Sequence, residues 1–217
     1  MRTRVDAETL RRWFAYASAS LHEQREHLTQ LDAAIGDADQ GTNMDRGFTV
    51  VVAKLHALEA ATPREILIVA GTTLMSSVGG TSGALWGTAL RRAGAALGDA
   101  GEIDTSALAR TFEAALASVI ELGGAEEGDK TMVDALAPAT RALREQAERG
   151  ATPAVALAAA RAAAEEGMHA TTPLQARKGR ASYLGERSIG HQDPGATATV
   201  LIVAALERAV SDTVDHV

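Results

Sequence analysis

An all-α fold, an eight-helix antiparallel up-and-down barrel or bundle, is predicted by three observations. Apolar residues recur at helical intervals, and nearly every connection between periodic segments is short. Aromatic residues make up only 3% of the chain, and much of the apolar content is alanine. Small residues of good helix propensity favour closely packed helices, whereas a β-sandwich calls for β-branched and aromatic side chains. With no internal repeat, linker or composition break, residues 1–217 read as a single domain long enough to bury a sizeable core.

The elements follow in order. From about Ala7 to Thr29, Leu10, Phe14, Ala17, Leu21 and Leu28 share one helical face, with Asp6 as N-cap. A polar, glycine-containing stretch, LDAAIGDADQGTNMDRG, leads into a helical run ending near Ala60. Thr62-Pro63-Arg64-Glu65 is a capping box with proline at the first helical position, so a helix starts there and runs to Val78. Gly79-Gly80 stops it, and Thr81 or Ser82 caps the next, which reaches about Leu97. Asp104 opens a helix that ends at Gly123-Gly124. Three more are expected over 131–149, 153–169 and 194–210. The apolar runs at 66–70 and 200–206 lie inside segments with helix-start signals, so no strand is expected. The connection 171–192 is too long for a plain turn, and loops of that length are commonly functional.

Composition removes several function classes. A net charge of -7 opposes nucleic acid as a partner, because phosphate neutralisation needs a basic face. Without cysteine there are no disulfides, thiolate nucleophiles or zinc–thiolate sites. MRTRVDAETLRRW lacks the apolar run of a signal peptide, and no charge-free stretch approaches twenty apolar residues. The expectation is a cytoplasmic protein without a membrane span.

Chemistry concentrates in three places. Asp32, Asp37 and Asp39 crowd three carboxylates into eight residues. Oxygen-only ligands suit hard cations, Mg²⁺ above all, although a solvated turn capping a helix reads equally well. An EF-hand starting at Asp37 needs glycine and glutamate where Thr42 and Phe48 stand, so calcium by that route is rejected. Next, Ser76-Ser77-Val78-Gly79-Gly80-Thr81-Ser82-Gly83 leads two glycines into a hydroxyl-capped helix. It is an ordinary helix-helix turn or an anion site built on free amides and the helix dipole. Last, the 177–195 segment gathers Arg177, Lys178, Arg180 and Arg187 in an acidic protein. These cations can pair with phosphates or carboxylates, and without such a partner the segment is expected to be mobile. One tempting signal fails. Residues 123–131, GGAEEGDKT, imitate a phosphate-binding P-loop, but they follow a helix, carry an extra Asp129 and hold two glutamates.

Four ordered blocks, IGDADQGTNMDRGF, SSVGGTSGALWG, GDKTMVDAL and GRASYLGERSIGHQDPGATA, resemble the signature blocks of the nucleotide-binding L subunit of dihydroxyacetone kinases. The resemblance runs from about Leu31 to the last helix. It implies an eight-helix barrel with the nucleotide at one end. Asp32, Asp37 and Asp39 would coordinate two Mg²⁺ ions bridging the phosphates of ADP or ATP. Gln40, Gly41, Thr42 and Asn43, with Thr81 and Ser82, would contact phosphate. Gly123, Met132 and Arg180 would lie near base and ribose, and Asp193, Pro194 and Gly195 would close the site. Gln40 departs from the pattern, since relatives often carry histidine or a smaller residue there.

The implied activity is phosphoryl transfer to dihydroxyacetone or a similar short ketose, held on a partner K subunit. Two donor schemes exist in the family. In one, bound ADP is rephosphorylated by an M subunit of the phosphoenolpyruvate phosphotransferase system. In the other, free ATP is the donor, and some relatives act on other small sugars such as erythrulose. A non-catalytic regulatory module that binds a transcription regulator in its ADP form is the alternative from a different class.

Overall fold

The computed structural model describes residues 5–212, so the first four residues of the N-terminal stretch lie outside it. Among the described residues there are nine α-helices, a 3-10 segment and one pair of two-residue strands. In chain order they are β1 (Val5–Asp6), α1 (Ala7–Glu23), α2 (Arg25–Ile35), α3 (Gln40–His56), α4 (Pro63–Ser77) and α5 (Gly80–Leu97). Then come β2 (Glu102–Ile103), α6 (Thr105–Gly123), α7 (Val133–Glu148), α8 (Pro153–Ala170), the 3-10 segment Arg180–Ser188, and α9 (Pro194–Ser211).

The fold is all-α, with eight helices closing a ring. Beginning with α3, each helix packs on the next, α9 returns onto α1, and α1 packs on α3. Short connections force this alternation, because a helix followed by a tight turn can only run back along its predecessor. Phe14, Phe48, Leu74 and Leu143 are fully buried and belong to one continuous core. Where α4 meets α5 the backbones nearly touch. A Cβ on Gly71 would lie 2.5 Å from the carbonyl of Gly87. No described helix is long and apolar enough to cross a membrane.

Three expectations need correction. The first helix does not stop near Thr29. It bends at Gln24, whose N–H bonds to the carbonyls of Ser20 and His22, and resumes as α2 to Ile35. The polar stretch therefore begins inside a helix, and Asp32 is a helical residue. Secondly, Val5–Asp6 pairs antiparallel with Glu102–Ile103, too short a ladder for periodicity to reveal. Thirdly, the 171–192 connection is not a plain loop, since it holds the 3-10 segment Arg180–Ser188. Ser188 is fully buried, its hydroxyl accepting from Ala176 N–H at 2.9 Å and donating to the Gly185 carbonyl at 2.6 Å.

Alternation has a consequence for charge. Helices α3, α5, α7 and α9 all start at one end of the ring, and α1, α4, α6 and α8 start at the other. The strand pair joins the starts of α1 and α6, and Thr105 Oγ1 at the start of α6 donates to the Ala151 carbonyl just before α8.

Candidate functional site

Four helix N-termini surround a cleft of about 210 Å³ at the first of these ends. Gln40 of α3, Gly80–Ser82 of α5, Met132 before α7, and Pro194-Gly195 of α9 all line it. A helix start carries the positive end of a helix dipole, equivalent to roughly half a charge, and amides without an intrahelical partner. Asp39, Gly79 and Met132, the N-caps of α3, α5 and α7, make no capping bond with their side chains among the described residues.

Facing these starts, Asp32, Asp37 and Asp39 each place a carboxylate oxygen within 4.8 Å of the others. Their turn is forced by local geometry. Asp32 closes the last turn of α2, where the Gly36 N–H bonds to its carbonyl. A Cβ on Gly36 would lie 2.0 Å from Asp32 Oδ1, so glycine is what lets the chain pass so close. Ala38 takes a left-handed φ of 62°, which costs a non-glycine residue about 1–2 kcal/mol. Asp32 Oδ2 accepts from the N–H groups of Asp39 at 2.8 Å and Gln40 at 3.1 Å, capping α3 from a distance. Burial raises the Asp32 carboxyl above the ordinary range, as do the charges of Asp37 and Asp39, while the two N–H bonds act in the opposite sense. Asp37 and Asp39 are exposed, and Arg180 Nε reaches Asp37 Oδ2 at 2.9 Å.

Thr81 and Ser82 stand where α5 begins, and Ser82 Oγ donates to Gln40 Oε1 at 2.6 Å, joining two of the helix starts. The walls opposite are partly apolar, formed by Ile35, Leu85, Trp86 and Met132. Asp193 is the exception among the N-caps here. Its Oδ2 accepts from Ala196 N–H at 2.6 Å, and burial pushes its pKa up to about 7, with Asp134 adding to the rise and Lys130 opposing it.

Four of the residues expected near the nucleotide do not line this cleft. Gly41 packs α3 against α2, where a Cβ would meet the Arg25 carbonyl at 2.0 Å. Thr42 is exposed on α3, one residue beyond Gly41. Asn43 accepts from Arg46 at 3.0 Å. Gly123 sits beside Leu85, 3.5 Å from its Cδ2 at the Cβ position. Lys178, one of the cations of the 177–195 segment, lines the cleft as well, and so do Lys130, Leu85 and Trp86, to which no site role was assigned. Lys130 was visible only as part of the rejected P-loop imitation. Its ammonium bonds main-chain carbonyls, which no local pattern encodes.

Comparisons with known proteins identify the family. A profile of the DAK2 domain matches residues 34–208, reaching from the aspartate turn to the last helix. The chain belongs to the DAK2-domain family. It is 45% identical over 200 residues to the PEP-dependent dihydroxyacetone kinase, ADP-binding subunit DhaL, of Escherichia coli, covering 92% of this chain and 95% of that one. It is 38% identical over 213 residues to D-erythrulose kinase of Mycolicibacterium smegmatis, covering 97% of this chain but 36% of that one. Among solved structures, the dihydroxyacetone kinase of C. freundii in complex with AMP-PNP and Mg²⁺ matches with a TM-score of 0.72 and 27% identity. That match takes in 96% of this chain and 35% of the kinase, so the chain spans about a third of that structure's length.

Proposed function

We propose that this DAK2 chain acts throughout its length as one nucleotide-binding domain of a dihydroxyacetone-type kinase, holding ADP or ATP through Mg²⁺. One observation carries the reading: four helix N-termini, which attract anions, face three clustered carboxylates, which attract cations. Side by side, these two preferences suit a polyphosphate paired with a divalent ion. The donor set is all oxygen, which fits Mg²⁺. Asp32, Asp37 and Asp39 would hold two such ions. When bound, Mg²⁺ neutralises charge on the phosphoryl oxygens during transfer.

The chain's own residues supply positioning. Thr81, Ser82, Gln40 and the first amides of α5 would receive the phosphates. Leu85 and Met132 offer an apolar, adaptable surface to a purine. Arg180, already beside Asp37, stands ready to balance anionic charge at the mouth. Asp193 fixes the start of α9 so that Pro194 and Gly195 close the far wall. The described residues lining the cleft include no histidine and no evident general base for a sugar hydroxyl beyond the aspartates assigned to metal and cap. That suits a scheme in which a K subunit holds the ketose.

The 45% identity to a PEP-dependent subunit, against 38% to an erythrulose kinase, favours ADP as a bound coenzyme recharged by a phosphotransferase M subunit. The experiment measures nucleotide and Mg²⁺ released on denaturation, then transfer to dihydroxyacetone with a K subunit present. ATP and a phosphorylated M subunit are compared as donors. About two Mg²⁺ per nucleotide and transfer from the phosphorylated M subunit are expected. Transfer from ATP alone, fastest on erythrulose, would replace the donor assignment. Nucleotide binding without any transfer would favour a regulatory module read by a transcription regulator.

A further inference from the structure

Lys130 is 1% exposed, yet it carries a charge into the protein between two acidic neighbours in sequence space, Asp129 and Asp134. Its backbone takes a left-handed φ of 63°, a conformation that non-glycine residues adopt only when their surroundings hold them. The ammonium donates to the carbonyls of Thr171 at 2.9 Å, Leu174 at 3.0 Å and His191, with Thr172 at 3.4 Å. Three of those acceptors leave the end of α8, and His191 lies three residues before α9. One side chain therefore grips both ends of the segment that carries Arg180. An ammonium has three hydrogens, so this cradle uses all of them.

The backbone repeats the same closure. Gly190 N–H bonds to the Thr172 carbonyl at 2.9 Å, and Asp193 N–H to Thr171 Oγ1 at 3.0 Å. Arg177 N–H bonds to the Asp129 carbonyl at 3.1 Å, tying the segment to the turn that holds Lys130. Asp134 braces that turn, accepting from Gly128 and Thr131 N–H groups at 2.6 and 2.7 Å. Every one of these bonds is internal to the protein, although Lys130 itself borders the cleft.

We propose that Lys130 is a positioning residue, stapling both ends of the 171–192 segment to the 129–134 turn so that Arg180 is held opposite the aspartates by protein contacts alone. The proposal rests on the transfer function above for its kinetic consequence, but its structural part stands apart from it. A loose segment would let Arg180 wander, whereas a stapled one fixes where its charge falls. Lys130 acts through Arg180 and the segment, its ammonium being turned to main-chain carbonyls.

The test compares wild type, Lys130→Met, Arg180→Met and the double variant, all without nucleotide and then with Mg-ADP. Trypsin cleavage after Arg177 and Arg187 should quicken roughly tenfold or more in Lys130→Met, because the closed base is lost. Arg180→Met should leave those two rates unchanged. Transfer should fall at least tenfold in Lys130→Met through kcat, with Mg-ADP affinity within about threefold of wild type. The double variant should be no worse than Arg180→Met, within about twofold, since coupled residues fail to add. Unchanged cleavage in Lys130→Met, or losses that multiply in the double variant, overturns the proposal. Should Lys130→Met not fold, hydrogen exchange on the nucleotide-free wild type decides. The amides of Arg177, Gly190 and Asp193 must be protected like helical ones, and exchange at free-loop rates overturns the staple. If wild type performs no transfer at all, the cleavage and exchange results still judge the staple while the functional reading falls by itself.

Discussion

The two ends of the barrel cap their helix starts differently. At the far end, α1, α4, α6 and α8 begin with Asp6, Thr62, Asp104 and Thr152, and each side chain accepts from an amide three residues on. At the cleft end only Asp193 does so, and Asp39, Gly79 and Met132 leave their helices uncapped by that route. A cap of this kind stabilises a protein by about 1 kcal/mol. At the cleft end α3 is capped instead by Asp32, which takes the Asp39 and Gln40 N–H groups, and the first amide of α7 goes to Thr131 Oγ1, so among the described residues the start of α5 is the one without a side-chain cap. Local capping is thus uniform at the far end and mixed at the cleft end, where the amides at the start of α5 have no side-chain partner. Enzymes hold strained or unsatisfied groups at their sites.

The largest expected effect lies in the acidic half of the cleft. Asp37→Asn keeps the size and turn chemistry of the residue but removes one charge from the cluster. If the three carboxylates hold Mg²⁺ against a polyphosphate, nucleotide affinity falls and transfer drops by roughly two orders of magnitude or more. The helical fold, followed by circular dichroism, stays intact. EDTA should likewise lower the melting temperature of nucleotide-loaded wild type but not of the variant. Near-normal transfer in Asp37→Asn would return that residue to the class of ordinary turn residues, and the contrast between the ends would then rest on the amides alone.

A smaller effect should appear in the pH dependence of stability, at the one capped start of the cleft end. The Asp193 carboxyl has an ordinary value of 3.8 when exposed and about 7 when folded, raised by burial and by Asp134, with Lys130 and two N–H bonds opposing. Between those values the folded chain binds a proton that the unfolded chain has released. Stability from this group is thus fullest at the acidic side and is lost as pH rises toward 7, at up to about 1.4 kcal/mol per unit. Asp193→Asn caps a helix almost as well and cannot titrate. Urea melts from pH 4.5 to 7.5 should show a shallower slope in the variant. Parallel slopes would mean that Lys130 keeps Asp193 ionised throughout.

What was readable in the sequence follows the range of the interactions. The starts at Thr62, Asp104 and Asp193 could be read because a cap and its amide are three residues apart. Asp32, Asp37 and Asp39 were readable as a cluster because a turn within eight residues brings them together. The helix α2 was hidden, since Asp32 sits on it facing a polar cleft and breaks the apolar pattern. The role of Lys130 was hidden more deeply, because its acceptors lie 41–61 residues away. Gly41 shows a second long-range constraint, since a Cβ there would lie 2.0 Å from the Arg25 carbonyl, a close approach that its place in a conspicuous block does not reveal.

The smallest effects give the cleanest test of the two ends, because they ask one hydroxyl at each. Thr62 Oγ1 accepts from Glu65 N–H at 3.2 Å while Glu65 Oε2 accepts from Thr62 N–H at 2.8 Å, a closed capping box far from the cleft. Thr62→Ala removes half of it and should cost about 1 kcal/mol, lowering the melting temperature by about 2–4 °C. Mg-ADP affinity should not change. Ser82 Oγ donates to Gln40 Oε1 at 2.6 Å across the cleft. Ser82→Ala loses one partly exposed bond, so its stability cost should be about half as large. It also removes the hydroxyl and frees Gln40 at the place where phosphate would sit, so Mg-ADP affinity should fall about tenfold, the size of one good polar contact. Differential scanning calorimetry and ADP titration on both variants complete the comparison. If Thr62→Ala weakens ADP binding, or Ser82→Ala costs as much stability with affinity intact, stability and binding are not divided between the ends. The uncapped start of α5 would then be a by-product of a tight turn, with the aspartate cluster alone left to define the site.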